Sequence, residues 1–353
     1  MTDPSSPAPT EGRARLHLAF WNTWLLAPRL WATGPRLPGG ERMFFAPDVE
    51  RRAPMVGPAL AGRFDVAALA EVFEHSEQAA VAASWPEAER AIGPHRKRFK
   101  PTGSGLMTLA DAGRATITRV ERLAFRSGGD WRDSDTFATK GALLTTVRLH
   151  HDDGTPAVEL PEVELVSTHL LAGGDLFPVP GARDQARHHA ARMRQVDELL
   201  VWIDHRHRPG NITMLVGDLN VAAHDPDPEL ADPTSRYRDL MSRVRAHGFR
   251  DLWAQHGVGP GHTCTFDHAF DLPSDPDHPD RVIDRADEEE ATAPGERIDY
   301  LLLAEPDDPA ITVDVGRPRR WAFHGRPAKG GPAGSLSDHL AVSVTLDVAR
   351  SGA

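Results

Sequence analysis

Of 353 residues only one is cysteine, Cys264, so the chain has neither an internal disulfide nor a thiolate metal cluster. The expected role of that lone thiol is a small buried hydrophobe. No uninterrupted apolar run approaches the roughly 20 residues a membrane helix needs. The opening stretch, residues 1–13, is Pro- and Ser-rich and lacks the apolar segment of a secretory signal, so it reads as a disordered leader and the cytoplasm is the expected location. Basic charge is also short: 40 Lys+Arg stand against 51 Asp+Glu, a net charge of -11. Phosphate-backbone affinity comes mainly from Lys and Arg, which weakens a nucleic-acid reading. It does not close that reading, because metal sites are themselves acidic and a bound cation inverts the local field. There is no repeat and no domain linker, and residues 14–349 read as one domain. The oligomeric state stays open.

What is present is a series of short apolar runs that end on polar residues. Residues 16–21 run into Asn22, and residues 64–70 run into Glu71. Residues 163–168 deliver His169, and residues 212–216 lead into Gly217-Asp218-Leu219-Asn220. Residues 105–109, 115–125, 142–149, 298–303 and 340–346 read as further strands. Between 183 and 205, Ala186, Ala190, Met193, Val196, Leu199, Leu200 and Ile203 recur at spacings of three and four, a helical stripe. Weaker helical patterns cover 47–61, 74–83 and 235–247. Many strands with a few helices between them imply two sheets packed together and covered by helices. Trp24, Leu25, Leu26, Leu30 and Trp31 are expected in the core. The acidic, low-complexity stretch 267–290 is expected to be a solvated loop.

Each polar strand end has a bland reading when taken alone. Asn22 fits an Asx turn, Glu71 a first exposed residue, and Gly217-Asp218-Leu219-Asn220 an ordinary turn. His169, Asp299 and the pair Asp338-His339 fit edge or loop positions equally well. Together they say more. Hard divalent cations such as Mg²⁺ prefer carboxylate and amide oxygens, and these oxygens recur at the ends of separate strands. Side by side, such ends converge on one edge, with two histidines alongside. The Asp299 carboxylate can hold one imidazole in the tautomer a general base requires. These are the parts for water attack on a phosphoester. A bound metal would depress neighbouring carboxylate pKa values, and Asp299 would favour protonated His339.

The order of motifs resembles the endonuclease/exonuclease/phosphatase superfamily of metal-dependent phosphoesterases. The matching pieces are F-W-N ending at Asn22, A-E-V-F with Glu71, S-T-H-L with His169, G-D-L-N with Asp218 and Asn220, R-I-D-Y with Asp299, and S-D-H with Asp338 and His339. They span residues 16 to 346. The resemblance implies an α/β four-layer αββα sandwich of two packed, mainly antiparallel sheets in a single domain. It implies Glu71, Asn22 and Asp338 at a metal, Mg²⁺ first and Mn²⁺ or another divalent cation otherwise. Asp218 and Asn220 would position the nucleophile and phosphate, and Asp299 would orient His339 as general base. His169 would stabilise the transition state or protonate the leaving group. Within the superfamily, the run from Asn22 to Leu26, Glu71-Val72-Phe73, Gly105-Leu106-Met107 and the stretch from Asp135 to Ala142 are similar to neutral sphingomyelinases and related phospholipid phosphodiesterases, which makes Lys140 a phosphate contact. The implied substrate is a phosphodiester, with a phospholipid headgroup foremost. Three features depart from the secreted enzymes: the missing export signal, the lack of a recognisable hydrophobic hairpin, and the acidic run before Asp299. Asp218 to Ala222 is also similar to abasic-site endonucleases, so a nuclease remains the alternative, followed by an inactive binder of phosphorylated ligands. Inositol-polyphosphate phosphatases carry a Tyr-Arg pair where Val221-Ala222 stands here.

Overall fold

A computed structural model describes residues 12–27, 46, 48–97, 100, 102–127, 138–173, 185–223, 235–264, 283–286, 295–325 and 335–351. In chain order the described elements are β1 (Arg13–Asn22), α1 (Val49–Leu60), β2 (Val66–Ala70), α2 (His75–Ala83), β3 (Ala88–Ile92), β4 (Met107–Asp111), β5 (Ala115–Ala124), β6 (Gly141–Leu149) and β7 (Val163–His169). They continue with α3 (Gln185–Arg206), β8 (Ile212–Asp218), α4 (Ser235–Ala246), β9 (Arg250–Asp251), α5 (Leu252–His256), β10 (Ile283–Ala286), β11 (Asp299–Ala304), β12 (Ile311–Val315), β13 (Arg319–His324) and β14 (Ala341–Arg350). One sheet has the order β10-β13-β14-β1-β2-β4-β3, with β12 also paired to β14. The other has the order β5-β6-β7-β8-β11-β9.

Alternation along the strands sorts the apolar side chains into three layers. On β1, Leu16, Leu18 and Phe20 face the second sheet, where they join Leu143, Leu165, Met214, Val216 and Leu301. Ala19 and Trp21 point the other way, into a cluster with Val49, Ala53, Val56 and Leu60 of α1 and Val81 of α2. Leu144, Val166, Leu215 and Leu302 leave the opposite face of the second sheet and meet Val196, Leu199, Ile203, Leu240 and Val244 of α3 and α4. The result is helices, sheet, sheet, helices: the αββα sandwich.

Each sheet is antiparallel except at one pair, β1 with β2 and β7 with β8. A parallel pair needs a long crossover connection, and the links that contain α1 and α3 supply them. Parallel neighbours finish at the same edge. Asn22 therefore ends beside Ala70, the residue before Glu71, and His169 ends beside Asp218. The antiparallel β11 begins there, with Asp299 opposite Asp218, and Gly141 of β6 stands opposite His169. Two glycines allow this crowding. A Cβ on Gly217 would lie 2.2 Å from the Thr168 carbonyl oxygen, and one on Gly141 would lie 2.0 Å from that of Leu123.

Several expectations need correction. Residues 283–286, inside the stretch expected to be loop, form β10, which pairs antiparallel with β13; main-chain bonds to a sheet margin hold a strand whatever the local charge. The strands β3, β9, β12 and β13 and the short α5 were not expected. β12 alternates partly buried and exposed residues and β13 mixes exposed and buried ones, so they lack a continuous apolar run. Leu25 is buried as expected, while Trp24 and Leu26 are only partly so. Residues 1–11 of the leader, Leu30, Trp31, Pro47, Asp135 to Phe137 and most of 267–290 lie outside the described residues. No described helix is long and apolar enough to cross a membrane.

Candidate active site

The strand ends bring the candidate residues into one hydrogen-bonded group. Asn22, almost wholly buried, donates through Nδ2 to Asp218 Oδ2 (3.0 Å) and to Glu71 Oε1 (3.2 Å), linking the two sheets. Its Oδ1 accepts from the Trp24 amide (3.1 Å). Asp218 Oδ1 accepts from the Asn220 amide (3.0 Å), and Asn220 Nδ2 lies 3.4 Å from the Leu170 carbonyl. Asp299 Oδ2 is 2.9 Å from His339 Nδ1. The Nε2 atoms of His339 and His169 stand 3.9 and 3.6 Å from Asp218 Oδ2. Ser337 fixes the third segment: its hydroxyl donates to the Asn22 carbonyl (2.6 Å) and accepts from the His339 amide (3.1 Å).

Backbone strain concentrates here. Among the described residues other than glycine, four have positive φ, and three belong to this site: Trp24 (47°), Glu71 (63°) and Asn220 (51°). Such conformations cost on the order of 1–3 kcal/mol each and persist where surroundings enforce them.

Charge is unevenly compensated. Burial and then the nearby Asp338 push the Glu71 carboxyl up to about 7, although Lys140, His339 and Asn22 pull the other way. Burial opposes a charge on His339, but Asp299 and Cys264 together outweigh it and hold the ring well above the ordinary histidine range. Burial drives His169 down to about 3, helped by Lys140 and His339. Lys140 is itself buried, contrary to a surface lysine, and acts on both Glu71 and His169. Asp299 Oδ1 and His169 Nδ1 are buried with no hydrogen-bond partner among the described residues.

Two carboxylate groupings suit a cation differently. Asp218, Asp299 and His339 offer atoms within 4.8 Å of one another, yet Asp299 Oδ2 is engaged by His339 and both Asp218 oxygens by Asn22 and Asn220. Asp338 instead repels the charge on Glu71; the two are a pair of hard oxygen donors, beside which Asn22 presents Nδ2. A divalent cation on that side would remove the repulsion.

The sequence matches no protein-family model and no curated protein. Solved structures do match. Sphingomyelinase C from Streptomyces griseocarneus is 18% identical, with a TM-score of 0.53, over 96% of this chain and 99% of that one. A beta toxin mutant from Staphylococcus aureus with bound magnesium ions is 13% identical, TM-score 0.56, over 96% and 100%. An endonuclease/exonuclease/phosphatase family protein from Bacteroides thetaiotaomicron is 13% identical, TM-score 0.55, over 95% and 98%. The fold is that of the endonuclease/exonuclease/phosphatase superfamily. Identities this low carry the fold, and function has to be argued from the site.

Within that fold, two neighbours of the site escaped the sequence reading. Arg52 of α1 is buried. It donates to the carbonyls of Thr23 (3.2 Å), Trp24 (2.6 Å) and Leu336 (2.6 Å), clamping the segments that carry Asn22 and Asp338. Its place one turn from Val49 and Val56, both buried, was the available signal. Cys264 is not core filler. It is only partly buried, its main chain bridges to that of His339, and burial pushes its thiol up to about 11.

Proposed function

We propose that the chain is a divalent-metal-dependent phosphodiesterase that hydrolyses a phospholipid headgroup ester of the sphingomyelin type. The observation that carries this reading is the convergence of Asn22, Glu71, Asp218, Asn220, Asp299 and His339 at one edge of two packed sheets. The likeness to sphingomyelinase C supports the substrate class, and the magnesium ions in the beta toxin mutant support Mg²⁺ as the cation, with Mn²⁺ the next candidate.

Glu71, Asn22 and Asp338 hold the cation in this reading. A cation held by these residues would neutralise the phosphate and leaving-group oxygens and by its charge favour the neutral form of His339. With Nδ1 engaged by Asp299, His339 presents Nε2 to an attacking water and takes its proton. Asp299 then stabilises the imidazolium without accepting the proton. Asp218, fixed by Asn22 and Asn220, orients the water, and Asn220 Nδ2 faces the phosphate. His169 is neutral across the working pH range, which favours hydrogen bonding to the transition state over protonating the leaving group. Lys140 supplies a buried positive charge for the phosphate.

A substrate panel tests the proposal: sphingomyelin, lysophospholipids, abasic DNA, plasmid DNA and a chromogenic phosphodiester, each with Mg²⁺ and with EDTA. Metal-dependent release of phosphocholine without DNA nicking is expected. DNA cleavage without phosphocholine release would make the chain a nuclease instead. Ligand binding without turnover on any member would make it an inactive phospho-ligand binder.

A further inference from the structure

β11 sends successive side chains to opposite faces of its sheet. Asp299 turns to His339, and its neighbour Tyr300 goes into the helix layer, where it is almost wholly buried in the cluster that holds Leu219, Val221 and Leu240. A tyrosine this deep needs a partner for its hydroxyl, and Tyr300 donates to the Val221 carbonyl (2.5 Å). Burial pushes that hydroxyl well above the ordinary tyrosine range, so it keeps the proton it donates. The ring itself is held in place. It stacks on Tyr237 at 6.3 Å and 18°, and the Arg297 guanidinium lies 5.0 Å from its centre and 5.3 Å from that of Tyr237. Asp251 Oδ2 anchors both neighbours, accepting from Arg297 Nη1 (2.8 Å) and from the Tyr237 hydroxyl (2.7 Å).

Val221 follows Asn220, and the segment that carries Tyr300 grips the same turn at two further points. The Leu219 amide donates to the Ile298 carbonyl (2.9 Å) and the Ala223 amide to the Arg297 carbonyl (3.1 Å). The Tyr300 hydroxyl takes the carbonyl between them. Asn220 sits inside this span with a φ of 51°, a conformation that persists only where its surroundings enforce it. Its Nδ2 has a long contact, 3.4 Å, with the Leu170 carbonyl, too weak to set the amide alone. We propose that Tyr300 is a positioning residue: its hydroxyl latches the 219–223 turn and thereby holds the Asn220 amide toward the phosphate. The proposal rests on the reading of Asn220 as a phosphate contact.

Tyr300→Phe removes the hydroxyl and keeps the ring. Tyr237→Phe is the control, since it deletes a hydroxyl from the same stack without touching the turn. Hydrogen-exchange mass spectrometry on the full chain in EDTA needs no turnover. Peptides covering residues 217–223 are expected to exchange about tenfold faster in Tyr300→Phe than in Tyr237→Phe. On a chromogenic phosphodiester with Mg²⁺, Tyr300→Phe is expected to lower kcat about tenfold with KM within about twofold, while Tyr237→Phe leaves both within about twofold. Asn220→Gly drops the amide at a φ that glycine accepts. In that background Tyr300→Phe is expected to lower kcat by less than about twofold further, because nothing remains to be positioned. The full tenfold loss in the Asn220→Gly background overturns the proposal, as do equal exchange rates in the two tyrosine variants. A wild-type chain without Mg²⁺-dependent turnover on any phosphodiester sinks the phosphodiesterase reading instead, and the exchange rates then decide the latch.

Discussion

Glu71→Gln separates the charge of the principal candidate metal ligand from its shape. Gln keeps the Oε1 that accepts from Asn22 and removes the negative charge that faces Asp338. The folded carboxyl stands at about 7 against an ordinary 4.5, so the folded protein prefers Glu71 protonated. Stability linked to that proton is complete below pH 4.5 and is lost as pH rises through about 7. The gap, at about 1.4 kcal/mol per pH unit, caps the loss at about 3 kcal/mol. Glu71 is partly exposed, and solvent screening brings the working figure to about 2 kcal/mol. A chain of this length unfolds with an entropy of about 0.7 kcal/mol/K, so Glu71→Gln should melt roughly 3 °C above wild type at pH 8 in EDTA. At pH 4, where both side chains are neutral, the two should melt together. Saturating Mg²⁺ should reverse the order: at about 100 times its Kd it adds about 2.7 kcal/mol, or roughly 4 °C, to wild type and little to the variant. Thermal melts followed by circular dichroism give all these values. If the variant melts at or below wild type at pH 8 in EDTA, ionised Glu71 is no burden and the argument for a cation at this side fails.

Other substitutions probe the remaining groups. Asp299→Asn should cut turnover by about 10²–10⁴-fold and move the rising acid limb of the pH–rate profile to lower pH, because Asp299, with Cys264, holds His339 high; a limb that stays put would remove Asp299 from that role. His169→Gln, which keeps an N–H donor, should retain more activity than His169→Ala, which should lose about 10²-fold or more; equal losses would mean that hydrogen bonding is not the contribution of this ring. Lys140→Met should lower kcat/KM by about 10²-fold on a phosphodiester, and an unchanged value would remove it from phosphate contact. Arg52→Met leaves three carbonyls without their cationic donor and should cost about 3 kcal/mol or more in a denaturant titration; a smaller loss would show that the clamp adds little.

The four strand ends were legible because an apolar run has a visible end, and β1, β2, β7 and β8 finish where their runs do. Arg52 was not, because an arginine on a helix normally reads as a solvated face, and only the three carbonyls it donates to make burial tolerable. β12 was missed because none of its residues is fully buried, β13 because Arg319 and Arg320 open it and break any apolar run, and β10 because its ladder bonds leave no trace in composition. Cys264 was misjudged by a rule about average cysteines, which says nothing of a main-chain bridge to His339.

Charge state is the deeper limit. His169 and His339 both follow or precede an apolar strand and look alike in sequence, yet the fold drives one down to about 3 and holds the other well above the ordinary range. The difference lies in partners: Asp299, 2.9 Å away, and Cys264 raise His339, while His169 Nδ1 has no hydrogen-bond partner among the described residues. The carboxylate arrives because β11 runs antiparallel to β8 and sets Asp299 opposite Asp218, a pairing between residues 81 positions apart in the chain. Motif order can name two histidines, but only the register of β8 with β11 decides which of them gains a carboxylate partner.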